Sequence, residues 1–208
     1  MDAWPLWNLV LRTPRLELCP DDDAGLLELF AEAERGIHPP DYMPFGVPWT
    51  DQHPITWMQH YWRRRADCVP TDWKVHFLVR LDGVVIGAQA LYGADFAIKR
   101  LVTTGSWIGL RYQGLGYGTE MRSAVLSFAF DHLGATTARS TAFLDNRRSL
   151  GVGRRLGYRP DGTGEAVRRG RTAVEQRLLL KKTEFRPACP IRVEGLDRCL
   201  AVFGLPAE

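Results

Sequence analysis

The chain has 208 residues and a mass of 23.5 kDa, with 45% hydrophobic, 25% charged and 11% aromatic residues. That suffices for one domain with a real core and is too ordinary for a disordered or fibrous protein. No apolar run reaches the roughly 18 residues a spanning helix needs, and the N-terminal MDAWPLWNLVLRTPRLE lacks the basic flank and unbroken apolar core of a secretory signal. The net charge of +3 hides an asymmetry: residues 1–51 hold ten acids against three arginines and no lysine, a local −7, whereas residues 139–171 hold nine arginines against three acids, a local +6.

In chain order, Leu11 to Leu18 alternates apolar Leu16 and Leu18 with polar Arg15 and Glu17, which predicts one strand. Pro20 ends it, and Asp21, Asp22 and Asp23 stand where negative charge complements the start of a helix. Leu26, Leu27, Phe30 and Ala31 follow at helical spacing. From Gly36 to Pro54 there are five prolines and two glycines among bulky aromatics, which reads as a long structured loop; Tyr42, Phe45 and Trp49 argue against disorder. A second helix is predicted over Trp57–Arg65. Lys74–Leu81, Asp82-Gly83 and Val84–Leu91 form the clearest local pattern, two β-rich runs joined by a dipeptide suited to a tight hairpin turn.

A strand over Val102–Leu110 is followed by glycines and a helix over Thr119–His132, with Met121, Ala124, Val125 and Phe128 on its apolar face. Thr136–Leu144 reads as a strand, Arg147–Leu156 as a helix, and Tyr158–Arg159 as the opening of a short strand. The Arg-rich, glycine-bearing stretch 161–171 reads as a loop, Thr172–Leu180 as a last strand and 185–208 as a tail whose Leu196, Leu200, Val202 and Phe203 predict that it docks. Two strand–helix–strand passages among antiparallel strands make this a mixed α/β sheet in one domain. Cys19, Cys68, Cys189 and Cys199 lie far apart without zinc spacing, so neither a disulfide scaffold nor a structural metal is expected, and a reducing cytoplasm is.

The informative stretch is Gly105-Ser-Trp-Ile-Gly-Leu-Arg-Tyr-Gln-Gly-Leu-Gly-Tyr-Gly-Thr-Glu-Met121. Gly114, Gly116 and Gly118 stand between a strand and a helix, where glycine lets the backbone approach a ligand and the helix start presents unpaired N–H groups. This is chemistry for a phosphate or pyrophosphate; a turn needed only for packing is the alternative. A Walker loop requires Gly-Lys-Ser/Thr, and no lysine occurs between Lys99 and Lys181. A dinucleotide fingerprint fails as well, because Thr119 stands where the third glycine belongs and position 134 is Gly rather than an acid.

Gln113-Gly-Leu-Gly-Tyr-Gly118 matches Gln/Arg-x-x-Gly-x-Gly/Ala and resembles the coenzyme A pyrophosphate loop of the GNAT superfamily of N-acyltransferases. Leu11-Arg-Thr-Pro-Arg-Leu-Glu-Leu18 resembles the opening strand of its ribosomal-protein-alanine acetyltransferase branch. Asn146-Arg-Arg-Ser149 with Arg154-Arg-Leu-Gly-Tyr158 resembles that branch's strand-to-helix segment. The Pro44-Phe45…Pro48-Trp49-Thr50 loop and Gly105-Ser-Trp107…Gly118-Thr-Glu-Met121 are most similar to an actinobacterial subgroup with a succinyl-CoA-using member.

The resemblance covers residues 9–182 and implies a GNAT fold: a central mixed, mostly antiparallel sheet with a splayed parallel strand pair, flanked by helices. It implies an acyltransferase domain over 1–184 and a C-terminal tail, 185–208, docking on the domain or on a partner subunit. Acetyl-CoA or succinyl-CoA would enter the wedge between strands 102–110 and 136–144. Backbone groups of Ile108, Gly109 and Leu110 would pair with the pantetheine amides. The backbone of Gln113, Gly114, Leu115, Gly116, Tyr117, Gly118 and Thr119 would hold the pyrophosphate, and Arg147, Arg148, Arg154 or Arg155 the adenosine phosphates. Asn146 would hold the pantetheine arm. Many relatives use a Tyr seven residues after this Asn; Gly153 stands there, and Ser149 is expected to support the departing thiolate instead, with a helix-capping role as its alternative.

Acyl transfer to an amine needs a group to take the amine proton and donors for the carbonyl oxygen. Asp95 is the candidate base, with Glu120, His76 and Tyr92 as weaker ones and a water relay needing none of them; His38, His53 and His60 show no partner pattern. The expected acceptor is a primary amine: a protein N-terminus, a lysine or a small molecule. The chain would work without metal or membrane, and a homo-oligomer stays open. The second reading is a non-catalytic acyl-CoA-binding or regulatory module. A nucleic-acid module is disfavoured because Tyr158 is the only aromatic between Arg147 and Arg171. The Arg-rich stretch is then expected to flank a phosphate-bearing cofactor, with the acidic first quarter available to a cationic acceptor.

Overall fold

The computed structural model describes residues 3–206. Nine strands form one sheet in the order β7-β8-β6-β5-β4-β3-β2-β1-β9, and every neighbouring pair is antiparallel except β5–β6. This is the mixed, helix-flanked sheet that the residue patterns imply.

The Leu11–Leu18 segment, read as one strand, is two. β1 (Val10–Arg12) and β2 (Leu16–Pro20) pair antiparallel around Pro14. Thr13 forces the reversal, its hydroxyl accepting from Leu16 N–H at 2.8 Å. α1 (Asp23–Glu34) starts where the acids predict it, with Asp22 accepting from Gly25 N–H at 2.6 Å. Its buried stripe is Leu26, Leu29 and Glu32, and Leu27 faces solvent. α2 spans Pro54–Ala66 and begins earlier than its apolar spacing suggests, because Pro54 is pre-set for a first turn. β3 (Asp72–Leu81) and β4 (Val84–Ala94) form the predicted hairpin, with Asp82 and Gly83 at φ +49° and +81°.

α3 (Phe96–Lys99) is a single turn before β5 (Leu101–Ile108). α4 (Tyr117–Ser127) continues as a π turn over Phe128–His132, and β6 (Thr137–Phe143) and α5 (Arg147–Leu156) follow. The stretch 161–171, read as a loop, is instead most of one strand and the turn of a long hairpin: β7 (Arg159–Arg168) and β8 (Arg171–Lys181) pair around Arg169 and Gly170 at φ +47° and +74°. Its glycines and Pro160 mask the strand, which is held by its neighbour β8 rather than by its own propensity. The tail supplies β9 (Arg192–Glu194), paired with β1. Phe203 is fully buried there, 5.0 Å from the Trp73 ring and 5.8 Å from Phe128.

Alternation along β3 sends Phe77 and Val79 into the main core with Met121, Val125 and Phe128, and Leu78 into a second cluster with Leu26, Leu29, Trp57 and Tyr61. The sheet is thus covered on both faces. The parallel pair is joined only at Leu101↔Thr137, Val102↔Ala138 and Thr103↔Arg139; beyond these residues β5 and β6 diverge. Among the described residues no helix is long and apolar enough to cross a membrane, and no group of three or more His, Cys, Asp or Glu could hold a metal.

Candidate active site

The divergence of β5 and β6 opens a cavity of about 840 Å³, within the range of small-molecule sites. Thr104 and Ser140 stand at its vertex, directly after the last paired residues, and Ser140 Oγ donates to Thr104 O at 3.3 Å. The glycine segment lies at its mouth, α5 forms one wall and the 36–54 loop forms the roof.

At the mouth, Gly114 and Gly116 adopt φ of +81° and +89°, a backbone that side chains resist. Gly116 is the N-cap of α4 and offers no side-chain cap; Thr119 N–H donates to Gly116 O at 3.0 Å, and the N–H groups of Tyr117 and Gly118 have no partner among the described residues. The segment is braced from behind by the β1–β2 turn. Arg15 donates to Leu115 O at 3.3 Å and lies 4.4 Å above the Tyr117 ring. Glu120, expected as a base candidate, is buried and accepts from Thr13 Oγ1 at 2.6 Å and Arg15 Nε at 2.7 Å. It is an anchor. Gln113 donates from Nε2 to Ile37 O at 2.7 Å and Ile108 O at 2.9 Å and accepts from Arg148, so its side chain ties loop, strand and α5 together. Gly114, Gly116, Gly118 and Thr119 line the cavity, whereas Leu115 points to solvent.

The backbone expected to receive a pantetheine arm differs from the expectation at two of its three residues. Gly109 N–H donates to Ile86 O and Leu110 N–H to Gly36 O, both at 2.9 Å. Antiparallel partners alternate between bonded and unbonded pairs. With the β4–β5 register, Gly105, Trp107 and Gly109 therefore turn their backbone groups to β4, and Thr104, Ser106 and Ile108 turn theirs to the cavity. Gly109 instead makes room for a neighbour, since a Cβ there would lie 2.1 Å from Oε1 of Glu32. That buried carboxylate pairs with Arg111 at 2.6 Å and Arg35 at 3.2 Å.

On the α5 wall, Asn146 caps the helix, accepting from Ser149 N–H at 3.1 Å. The cap is therefore Asn146, and the Ser149 hydroxyl faces the cavity without a hydrogen-bond partner among the described residues. Gly153 packs with its Cβ position 3.2 Å from Leu178, which leaves no room for the Tyr of other relatives. Arg147, Arg148 and Arg155 line the mouth and Arg154 does not. Three other arginines of the basic stretch are engaged by acids of the protein: Arg168 pairs with Asp145 at 2.8 Å, Arg169 with Asp51 at 2.7 Å and Arg159 with Glu184 at 3.0 Å. Hydrogen bonding to Arg168 holds the Asp145 carboxyl below its ordinary range.

The roof is aromatic. Trp49 lies 5.2 Å from Phe45, 5.5 Å from Trp107 and 5.9 Å from Trp57. It is fastened by Arg169 to Asp51 and to Pro40 O and by the Tyr42 hydroxyl to Asp145. Asp95 is not part of the cavity: it sits at φ +50° after β4, half exposed and ion-paired with Lys99 at 2.8 Å. His76 and Tyr92 are also elsewhere, bonded to each other at 3.0 Å.

Two lining residues escaped the sequence reading. The carboxylate of Glu175 on β8 has no ion pair or hydrogen bond among the described residues. Arg122 on α4 is 5% exposed; Nη2 donates to Ser106 Oγ at 2.9 Å, and Nε and Nη1 have no partner. Nothing in one sequence marks either: Glu175 alternates as any strand residue does, and Arg122 adjoins an apolar stripe.

The family described as "Acetyltransferase (GNAT) domain" matches residues 8–159. Mycobacterium smegmatis RimJ in complex with CoA-disulfide superposes with a TM-score of 0.68 at 18% identity, covering 95% of each chain. An acetyltransferase of the GNAT family from Bacillus anthracis gives 0.68 at 15% identity, covering 84% of this chain and 99% of that one. A spermidine N-acetyltransferase SpeG chimera from Vibrio cholerae and hSSAT gives 0.66 at 17%, covering 81% and 96%. At such identities the likeness is one of fold.

Proposed function

The chain belongs to the GNAT acetyltransferase family and is an N-acyltransferase, and on that premise we propose that it passes an acyl group from acyl-CoA directly to a primary amine in a ternary complex. The observation that carries this reading is the glycine segment Gly114–Gly118, with its left-handed backbone, opening onto a cleft made by two diverging parallel strands. In this reading the first-turn N–H groups of α4 bind the pyrophosphate, with Arg147, Arg148 and Arg155 beside it. The pantetheine arm lies along β5 against Ser106 and Ile108. Asn146, whose side-chain oxygen is engaged in the cap, has its amide N–H₂ left for the arm.

The amine nitrogen attacks the thioester carbonyl, the carbon–sulfur bond breaks, and the sulfur leaves as thiolate beside the Ser149 hydroxyl, which donates to it. The amine proton passes to Glu175, the unpaired carboxylate of the cavity, which replaces Asp95 as the proposed base. Acetyl and succinyl groups, and protein N-termini, lysines and small polyamines as acceptors, all remain within the proposal. The aromatic roof supports a cationic acceptor, whose ammonium is attracted to ring faces.

Calorimetry with CoA followed by thiol release over a panel of amines tests the reading. Binding with thiol release is expected; CoA failing to bind at millimolar concentration overturns it. Binding without release from any amine favours the non-catalytic alternative.

A further inference from the structure

A cavity hydroxyl can serve chemistry only if its hydrogen is not already spent inside the protein. Three hydroxyls stand near the vertex of the wedge, and two are engaged: Ser140 Oγ donates to Thr104 O at 3.3 Å, and Thr104 Oγ1 lies 3.4 Å from the Tyr158 hydroxyl. Ser106 differs. Its Oγ accepts from Nη2 of Arg122 at 2.9 Å, and its O–H has no acceptor among the described residues.

The group behind Ser106 is a cation without a counter-charge. Arg122 is buried on α4, Nε and Nη1 have no partner, and its one charged or titratable neighbour is Tyr158. Burial pushes the guanidinium down from its ordinary range, and Tyr158 offsets only part of that; an arginine stays protonated nonetheless. A cation kept in this way costs stability, and its field is screened little by solvent. The single hydrogen bond it makes aims that field through Ser106 at the cavity, and a hydroxyl that accepts from a charged donor is itself a stronger donor.

The place is informative. β5–β6 pairing ends at Thr103↔Arg139, and the Ser140–Thr104 bond closes the vertex. A pantetheine arm running back along β5 from the glycine segment therefore brings its thioester beside Ser106, with Ser149 on the opposite wall. A neutral carbonyl there gains little from a nearby cation. The negative oxygen of the tetrahedral state gains much more, and only such differential stabilisation accelerates the reaction.

Resting on the acyl-CoA reading above, we propose that the Ser106 hydroxyl donates to the oxyanion of the tetrahedral state and that Arg122 is the positioning residue that holds and polarises it. As the amine nitrogen bonds to the carbonyl carbon, the π pair moves to the oxygen, to which Ser106 O–H donates. When that pair returns, the carbon–sulfur bond breaks and the thiolate leaves beside Ser149. Neither Ser106 nor Arg122 gives up a proton, and the amine proton goes to the base.

Infrared difference spectroscopy of the full chain with acetyl-CoA isotope-labelled at its carbonyl carbon tests this, beside calorimetry and steady-state kinetics; labelled succinyl-CoA takes its place if only that donor is turned over. The bound carbonyl should absorb at lower frequency than the free one. Ser106→Ala keeps the backbone N–H and should reverse most of the shift. It should lower kcat by about 10²-fold while changing donor affinity by less than about 10-fold. Arg122→Gln should lower kcat by about 10-fold, and by much less when Ser106 is already alanine. Arg122→Lys, which keeps the charge, should retain part of the rate and the shift, and serves if the glutamine variant does not fold. If the donor binds and Ser106→Ala leaves its carbonyl frequency unchanged, or if the two substitutions lower kcat independently, as a mere strut between α4 and β5 would, the proposal is wrong while the acyl-CoA reading stands. Failure of CoA itself to bind removes both.

Discussion

Arg15 and Glu120 stand 105 residues apart in the chain, and the Arg15 Nε lies 2.7 Å from the Glu120 carboxylate. One belongs to the turn between β1 and β2, the other to the first turn of α4, so the pair fastens the N-terminal hairpin beneath the glycine segment. Glu120 is buried and Arg15 is half exposed, an arrangement in which losing the cation leaves a carboxylate with fewer partners in a poor solvent. Arg15→Ala or Glu120→Gln should each cost about 1–2 kcal/mol, lowering the melting temperature by about 2–8 °C for a chain of this size. The double variant should cost less than the sum of the two. Thermal unfolding of the four proteins checks this; strict additivity would mean that the pair does not act as one.

Ser149 lines the cavity while Asn146 performs the capping. Ser149→Ala should therefore leave the melting temperature nearly unchanged and lower kcat by about 10- to 100-fold, the loss of one hydrogen bond to a charged group, at little change in acyl-CoA affinity. Steady-state kinetics beside calorimetry reads both. An unaltered kcat would remove Ser149 from the chemistry.

Glu175 is the carboxylate that faces the cavity unpaired, whereas Asp145 is engaged by Arg168 and Tyr42. Glu175→Gln should reduce kcat/KM by about 10²-fold, typical of a lost proton acceptor. Asp95→Asn should leave it unaltered, since Asp95 pairs with Lys99 outside the cavity. The opposite ranking of the two variants would reinstate Asp95.

His76 gives a prediction for stability. Burial, with smaller contributions from the charges of Arg64 and His60, lowers its pKa from 6.5 to about 3. As the pH falls below 6.5 the unfolded chain protonates this ring and the folded one does not, so unfolding gains protons and stability falls through the window from about 6.5 to about 3. His76→Gln, which stays neutral, should weaken the dependence of the melting temperature on pH between 6.5 and 4, about the part of the window where melting is measurable. Parallel pH curves for the two proteins would assign the acid sensitivity to other groups.

Local chemistry determined much of this protein from the chain alone. Asp82-Gly83 specifies a hairpin because both positions adopt positive φ, Asp22 starts α1 because its side chain satisfies an N–H, and Gly114 and Gly116 mark a left-handed turn before α4. These follow from neighbours in sequence and from a resemblance carried by a few residues. Tertiary structure decided the rest, because the deciding partners are remote. Residues 161–168 form a strand only through their pairing with β8, and Gly109 and Leu110 turn away from the cleft because Ile86 and Gly36 accept their N–H groups. Three of the arginines that made the basic stretch conspicuous, Arg159, Arg168 and Arg169, bind acids of the protein, Asp51 of the acidic first quarter among them. Glu175 and Arg122, by contrast, became visible through what does not approach them, and the absence of a partner in three dimensions has no signature in a single sequence.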